Sequence, residues 1–162
     1  MNFLQFAVWG SYLTSMGTYL FGIGLAENIG IFYAMQGIVS LFMPALIGIV
    51  ADRWIQAQKL LGICHLLAAA FMVATGYYAL TATNVEFAPL FTLYSLSVAF
   101  YMPTLGLSNS VAYSSLGQAG LDTVKHFPPI RVWGTVGFIC AMWCCDLSGF
   151  QSTAWQFIQC AV

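Results

Sequence analysis

Arginine, threonine and phenylalanine fall at positions 131, 135 and 138 of this chain, four and seven residues apart. On an α-helix that spacing puts the three side chains on one face. The stretch around them, Phe127-Pro128-Pro129-Ile130-Arg131-Val132-Trp133-Gly134-Thr135-Val136-Gly137-Phe138, is otherwise almost wholly apolar. A guanidinium offers donors in a planar fork, a hydroxyl both donates and accepts, and an aromatic ring offers a face. Such a row suits a small polar solute that carries a ring. Only 6% of the residues are charged, and an ionisable side chain inside a membrane-length segment is costly and marks a functional site by default. The competing reading is snorkelling. Pro128 and Pro129 suit the first helical positions, which puts Arg131 a few residues past the helix start and within reach of the membrane surface. Position alone leaves both readings open.

The elements that must carry this row are membrane spans. The chain has 162 residues, 60% of them hydrophobic, with a mean hydropathy of +0.85. Four basic and five acidic residues cannot cover a soluble globule, whose surface is about 25–35% charged. The net charge of -1 comes with no basic patch to meet phosphates, so nothing points to nucleic acid as a partner. A bilayer core of about 30 Å takes about 20 helical residues to cross. Five stretches meet that length, roughly 3–25, 29–51, 58–82, 87–113 and 128–147, and a sixth begins near Ser152 and stops before it can span. The expected architecture is an all-α polytopic helix bundle that ends inside an element, as a fragment or truncated product would. Ser114 to Phe127 reads as the longest polar loop. The five cysteines sit in apolar stretches without metal-ligand spacing and read as ordinary buried thiols. His65 and His126 read as a packed polar residue and a loop residue.

The charges orient the bundle. With the N-terminus in the cytoplasm, the second-to-third and fourth-to-fifth connections and their helix ends hold Arg53, Lys59, Lys125 and Arg131, every basic residue of the chain. Glu27, Glu86 and Asp146 fall on the other side. This is the positive-inside pattern.

Polar and aromatic residues also recur at helical spacing. The first span has Gln5, Trp9, Tyr12, Met16 and Tyr19, the second Tyr33, Gln36 and Ser40, and the fourth Ser97, Tyr101, Thr104 and Ser108. Stripes of this kind either hydrogen-bond helices together or line a wet cavity. Taken one by one they favour packing; three of them together with Arg131 favour a solute path. Gly10, Gly17, Gly37, Gly134 and Gly137 would allow close helix contact, and Pro44 and Pro103 lie inside spans.

Gly48-Ile49-Val50-Ala51-Asp52-Arg53-Trp54 resembles the cytoplasmic loop signature of the major facilitator superfamily, a glycine, three residues, then an aspartate and a basic residue. The further glycine and paired basic residues of that signature are replaced by Ile55, Gln56, Ala57 and Gln58. The resemblance implies a gate contact made by Asp52, with Arg53 as its cytosolic neighbour and Gly48 as the small residue of the motif. Blocks through most of the chain resemble the bacterial nucleoside permeases, the nucleoside–proton symporter family of that superfamily. They include Phe3 to Ser11, Phe42 to Trp54, Ile63-Cys64-His65, Tyr101 to Leu107, Phe127 to Phe138, Ala141-Met142-Trp143 and Leu147 to Phe150. The resemblance implies a transporter of twelve helices in two bundles, in the cell (inner) membrane, with a proton as coupling ion and no cofactor. Residues 1–162 would be its incomplete N-terminal six-helix bundle. Arg131 and Thr135 would hydrogen-bond the nucleoside and Phe138 would pack against it.

A sugar–proton symporter with Trp9, Trp133 or Trp143 as platform is the nearest alternative, and a truncated membrane protein that transports nothing is the alternative from another class. No paired carboxylates, metal cluster or nucleophile constellation points to an enzyme. In the resembled fold the substrate lies between two repeats, and the acidic residue expected to carry the proton lies in the part beyond this chain. The isolated 162 residues are therefore expected to insert without concentrating solute, and concentrative uptake by them in liposomes would overturn this.

Overall fold

The computed structural model describes residues 1–161, and all regular structure among them is helical. The first crossing is made of α1 (Asn2–Leu13) and α2 (Ser15–Gly22), not of one unbroken helix. At the break the Tyr33 hydroxyl donates to the Leu13 carbonyl at 2.7 Å. On either side of it Ser11 and Ser15 turn their hydroxyls back to the carbonyls of Ala7 and Ser11. A side chain entering the carbonyl ladder and serine back-bonding both bend helices. Thr14 between them stays in the right-handed helical region.

Next come α3 (Ile29–Arg53), α4 (Ala57–Thr81), α5 (Phe87–Gln118) and α6 (Thr123–Leu147). With the short turn that precedes α3, these are four helices long and apolar enough to cross a membrane. A final α7 (Trp155–Ala161) follows a short turn over Phe150–Ser152, where the sixth segment was expected.

The junction of α5 and α6 differs from the expected polar loop over 114–127. Only residues 119–122 separate the helices. Gly120, at φ +67°, supplies the left-handed residue after α5. Asp122 caps α6, its carboxylate accepting from the Val124 N–H at 2.9 Å. The Tyr113 and Phe127 rings stack at 4.2 Å and hold the two helix ends together. Pro128 and Pro129 are therefore inside α6, not at its first positions. They leave the Val124 and Lys125 carbonyls without their helical N–H partners, near an end where water can serve them.

Contacts between α1 and α6 advance together: Asn2 reaches the Ile130 carbonyl, Phe6 meets Gly134 and Gly10 meets the backbone of Phe138. The two helices run parallel. Three glycines set their distance. A Cβ at Gly10 would lie 2.5 Å from the Phe138 carbonyl oxygen, one at Gly134 would lie 2.6 Å from the Phe6 ring, and one at Gly137 would strike the Phe3 backbone. Gly17 and Gly37, read from sequence with this group, have no such close neighbour.

On the other flank Phe32 of α3 sits edge-on to Phe87 and Phe91 of α5, and α4 packs antiparallel to α5. The core joins Tyr12, Met16 and Leu20 of the first crossing to Tyr94, Val98 and Met102 of α5, Met72 of α4 and Phe157 of α7. A second cluster, Leu60, Leu61, Cys64 and Leu107, closes the end where α3 turns into α4. Cys64, Cys145 and Cys160 are buried, whereas Cys140 and Cys144 face outward from α6, so the reading of all five thiols as buried fails for two.

Gly137→Ala should cost about 1–3 kcal/mol by forcing α1 off α6. Gly106→Ala, where nothing lies within 4 Å of the added carbon, should shift stability by less than about 1 kcal/mol. Thermal unfolding in detergent compares the two, and equal shifts would contradict the close contact.

Candidate functional site

The site residues predicted from sequence come together on α6. Arg131 and Thr135 are exposed and Phe138 is half-buried, and from the first to the last the row spans about 10 Å of helix. Because α6 begins at Thr123, Arg131 lies eight residues, about 12 Å, into the helix, deeper than the sequence suggested. Its guanidinium carbon sits over the Phe6 ring of α1, 4.8 Å from the centroid. Among the described residues this aromatic ring, not a carboxylate, is its partner.

Thr75, Thr81 and Thr92 each return the hydroxyl to the carbonyl four residues back. Thr135 makes no such bond among the described residues, so its hydroxyl is free on the exposed face. Phe138 meets the edge of Trp9 at 5.9 Å, and Trp9 is tilted against Phe6 at 6.1 Å. Arg131, Phe6, Trp9 and Phe138 thus form one continuous row across the α1–α6 seam. It offers a charged fork and a ring with a hydroxyl between them, which is chemistry for a polar solute with a planar part.

Apart from Trp9, the first and fourth stripes do not line this face. Gln5, Tyr12, Met16 and Tyr19 are buried, and so are Ser97, Tyr101, Thr104 and Ser108. Gln5 donates to Thr104 at 2.7 Å, the Tyr101 hydroxyl donates to the Gln5 carbonyl, and Ser97 donates to the Ala68 carbonyl at 2.8 Å. Gln5, Ser97 and Tyr101 thus tie helices together, whereas the Tyr12 and Tyr19 hydroxyls are buried without a hydrogen-bond partner among the described residues. The stripes were read together as favouring a solute path; packing accounts for Gln5, Ser97, Tyr101 and Thr104, while in the second stripe Gln36 is buried and Tyr33 and Ser40 are exposed. The sequence could have signalled this only through pairing of the first and fourth spans, which spacing within one helix does not contain.

A cavity of about 270 Å³ lies elsewhere, between α1, α4, α5 and α7. Its walls are mainly apolar, with Tyr12, His65, Ser97 and Tyr101 as polar members, and it includes none of Arg131, Thr135 and Phe138. His65 is half-buried there, with Nδ1 2.9 Å from the Leu61 carbonyl and the ring edge-on to Tyr101, in keeping with a packed polar residue. His126 lies in the first turns of α6, not in a loop.

The gating segment is also more helical than expected. Gly48, Asp52 and Arg53 belong to α3, and the connection to α4 is only residues 54–56. Asp52 and Arg53 are exposed. Arg53 favours the negative end of α3, whereas a carboxylate at Asp52 gains nothing from the dipole of its own helix there. The basic residues Arg53, Lys59 and Lys125 all lie at the end of the bundle that holds the start of α1, and Glu27, Glu86 and Asp146 lie at the opposite end.

Comparison with known proteins bears on this arrangement. A family model described as nucleoside H+ symporter matches residues 1–162. The nucleoside permease NupG of Escherichia coli (strain K12) is 45% identical over 159 residues, which cover 96% of this chain and 36% of that protein. The xanthosine permease of the same organism is 41% identical over 158 residues, again 96% of this chain and 36% of the relative. A crystal structure of a variant of the nucleoside transporter NupG superposes with a TM-score of 0.88 at 42% identity, covering 99% of this chain and 39% of that one. The chain thus spans little more than a third of the length of the relatives it matches.

If the stripes only pack helices, Tyr101→Phe should lower stability by about 1 kcal/mol or less, the usual range for a hydrogen bond between membrane helices. Thermal unfolding of the purified chain measures this, and a loss of several kcal/mol would show that the hydroxyl does more than join α5 to α1.

Proposed function

The chain belongs to the nucleoside H+ symporter family, and from that premise we propose that it is the N-terminal part of a proton-coupled nucleoside transporter. It is a multi-pass membrane protein, and residues 1–162 form the incomplete first six-helix bundle of a twelve-helix carrier. The observation that carries the reading is the exposed row on α6: a guanidinium and a hydroxyl with no acceptor among the described residues, next to an aromatic ring held in place by α1.

A nucleoside has hydroxyls and ring heteroatoms that accept hydrogen bonds and a flat base that packs on an aromatic side chain. Arg131 and Thr135 would take the polar edge, and Phe138 would pack against the solute. The rest of the site would come from a C-terminal bundle, since carriers of this type bind between repeats and rock one against the other. The acid that carries the coupling proton would lie there too, and no cofactor is needed.

The gathering of Arg53, Lys59 and Lys125 at one end of the bundle supports an N-terminus on the cytoplasmic side, and a cell's inner membrane is the proposed location. Gly48, Asp52 and Arg53 would act at the cytoplasmic gate, with Asp52 exposed at the end of α3 to contact a helix start in the other bundle.

The test is uptake of labelled nucleoside by cells expressing this chain joined to the C-terminal part of the nucleoside permease NupG. Uptake that collapses with a protonophore is expected. Arg131→Lys keeps the charge and loses the planar fork, so it should lower uptake at subsaturating nucleoside about tenfold. Good expression without nucleoside uptake would refute the reading, and equal uptake by Arg131→Lys would remove Arg131 from the site.

A further inference from the structure

The Arg131 guanidinium is exposed, is part of the row proposed to face the solute, and is not held by a carboxylate among the described residues. A long side chain in that position has many rotamers, and a binding site needs one. The geometry points to Phe6 as the positioning residue for Arg131: its ring holds the guanidinium by a cation–π contact so that the donor fork faces the solute. This rests on the nucleoside-transport reading above and deepens it.

Three observations carry the inference. The guanidinium carbon lies 4.8 Å from the Phe6 centroid, within the roughly 6 Å range of a cation–π contact. The ring itself cannot wander. Phe6 is 9% exposed, its edge lies against Gly134, where even a methyl group would come within 2.6 Å of it, and Trp9 flanks it at 6.1 Å. Thirdly, a cation over a ring keeps its N–H groups free. A carboxylate in the place of Phe6 would consume the donors that the solute is to use. An aromatic partner orients the fork and leaves it available, at a site where removing water strengthens the attraction.

Phe6 does not touch the solute in this arrangement. It acts through Arg131, much as Trp9 buttresses Phe138 from the edge at 5.9 Å. The glycine at 134 belongs to the same device, because any side chain there would push the ring out from under the guanidinium.

The experiment uses the carrier completed with the C-terminal part of NupG and measures KM and maximal rate for uridine and adenosine uptake, normalised to protein at the membrane. Phenylalanine at position 6 is replaced by mono-, di- and trifluorinated phenylalanine, which keeps the shape of the ring and weakens its negative face step by step. KM should rise with each fluorine, to about two- to fivefold in total, with maximal rate unchanged. That range follows from a contact of about 0.5–1 kcal/mol at exposed sites, at tenfold per 1.4 kcal/mol. In an Arg131→Ala background the fluorine series should be flat.

A KM that does not change along the series, or that rises equally with and without Arg131, overturns the proposal. If Arg131→Ala leaves KM unchanged in the unfluorinated carrier, the site reading itself has failed and the proposal falls with it. That failure is told apart because it needs no change at Phe6.

Discussion

The close seam between α1 and α6 is the constraint on which the candidate site depends. Gly10, Gly134 and Gly137 bring the two backbones together, at a distance no larger residue permits. In a membrane the apolar effect does not drive helices together, since lipid tails are as apolar as leucine; small residues that let backbones approach do. The same contact decides which way α6 faces. With Gly134 and Gly137 turned to α1, Arg131 and Thr135 are placed on the open side, and Phe138 lies at the edge of the seam beside Trp9.

Polar groups are used in two ways in this bundle, and burial separates them. Inside, Gln5, Tyr101 and Thr104 form a short network between α1 and α5, and Ser15 reaches Gln156 of α7 at 2.5 Å. These bonds tie crossings that are far apart in sequence. Outside, Arg131 and Thr135 keep donors that nothing in the described chain accepts. A membrane protein bears the cost of such free donors where a solute or a second bundle meets them. The large exposed apolar residues of α3 and α6, among them Phe42, Leu46, Trp133 and Trp143, are ordinary for surfaces that meet lipid or another bundle. They need no separate explanation.

Helix ends account for most differences between the expected and observed elements. Asp122 sits at the start of α6 and Gly120 just after α5, and each does what its chemistry dictates. The Pro128–Pro129 pair drew the predicted start of α6 five residues too late, because proline is at home in a first helical turn and the cap further upstream looked like loop. The break at Thr14 was illegible for another reason. It coincides with a hydrogen bond from Tyr33, a residue of a different crossing.

The sequence by itself determined that the chain is an all-helical membrane protein, how many apolar segments it has, which ends carry the basic charge, and that Arg131, Thr135 and Phe138 share one face. Hydropathy, charge and helical period are local properties and are read directly. Its resemblance in ordered blocks to the nucleoside permeases was legible as well, and the family match agrees with it. The tertiary structure alone decided which of the polar stripes face inward and which row stays open. It alone placed Phe6 under the Arg131 guanidinium, since two residues 125 positions apart become neighbours only when parallel helices pack at glycine distance. Periodicity says that residues lie on one side of a helix, and only the neighbouring helix says whether that side meets protein or solute.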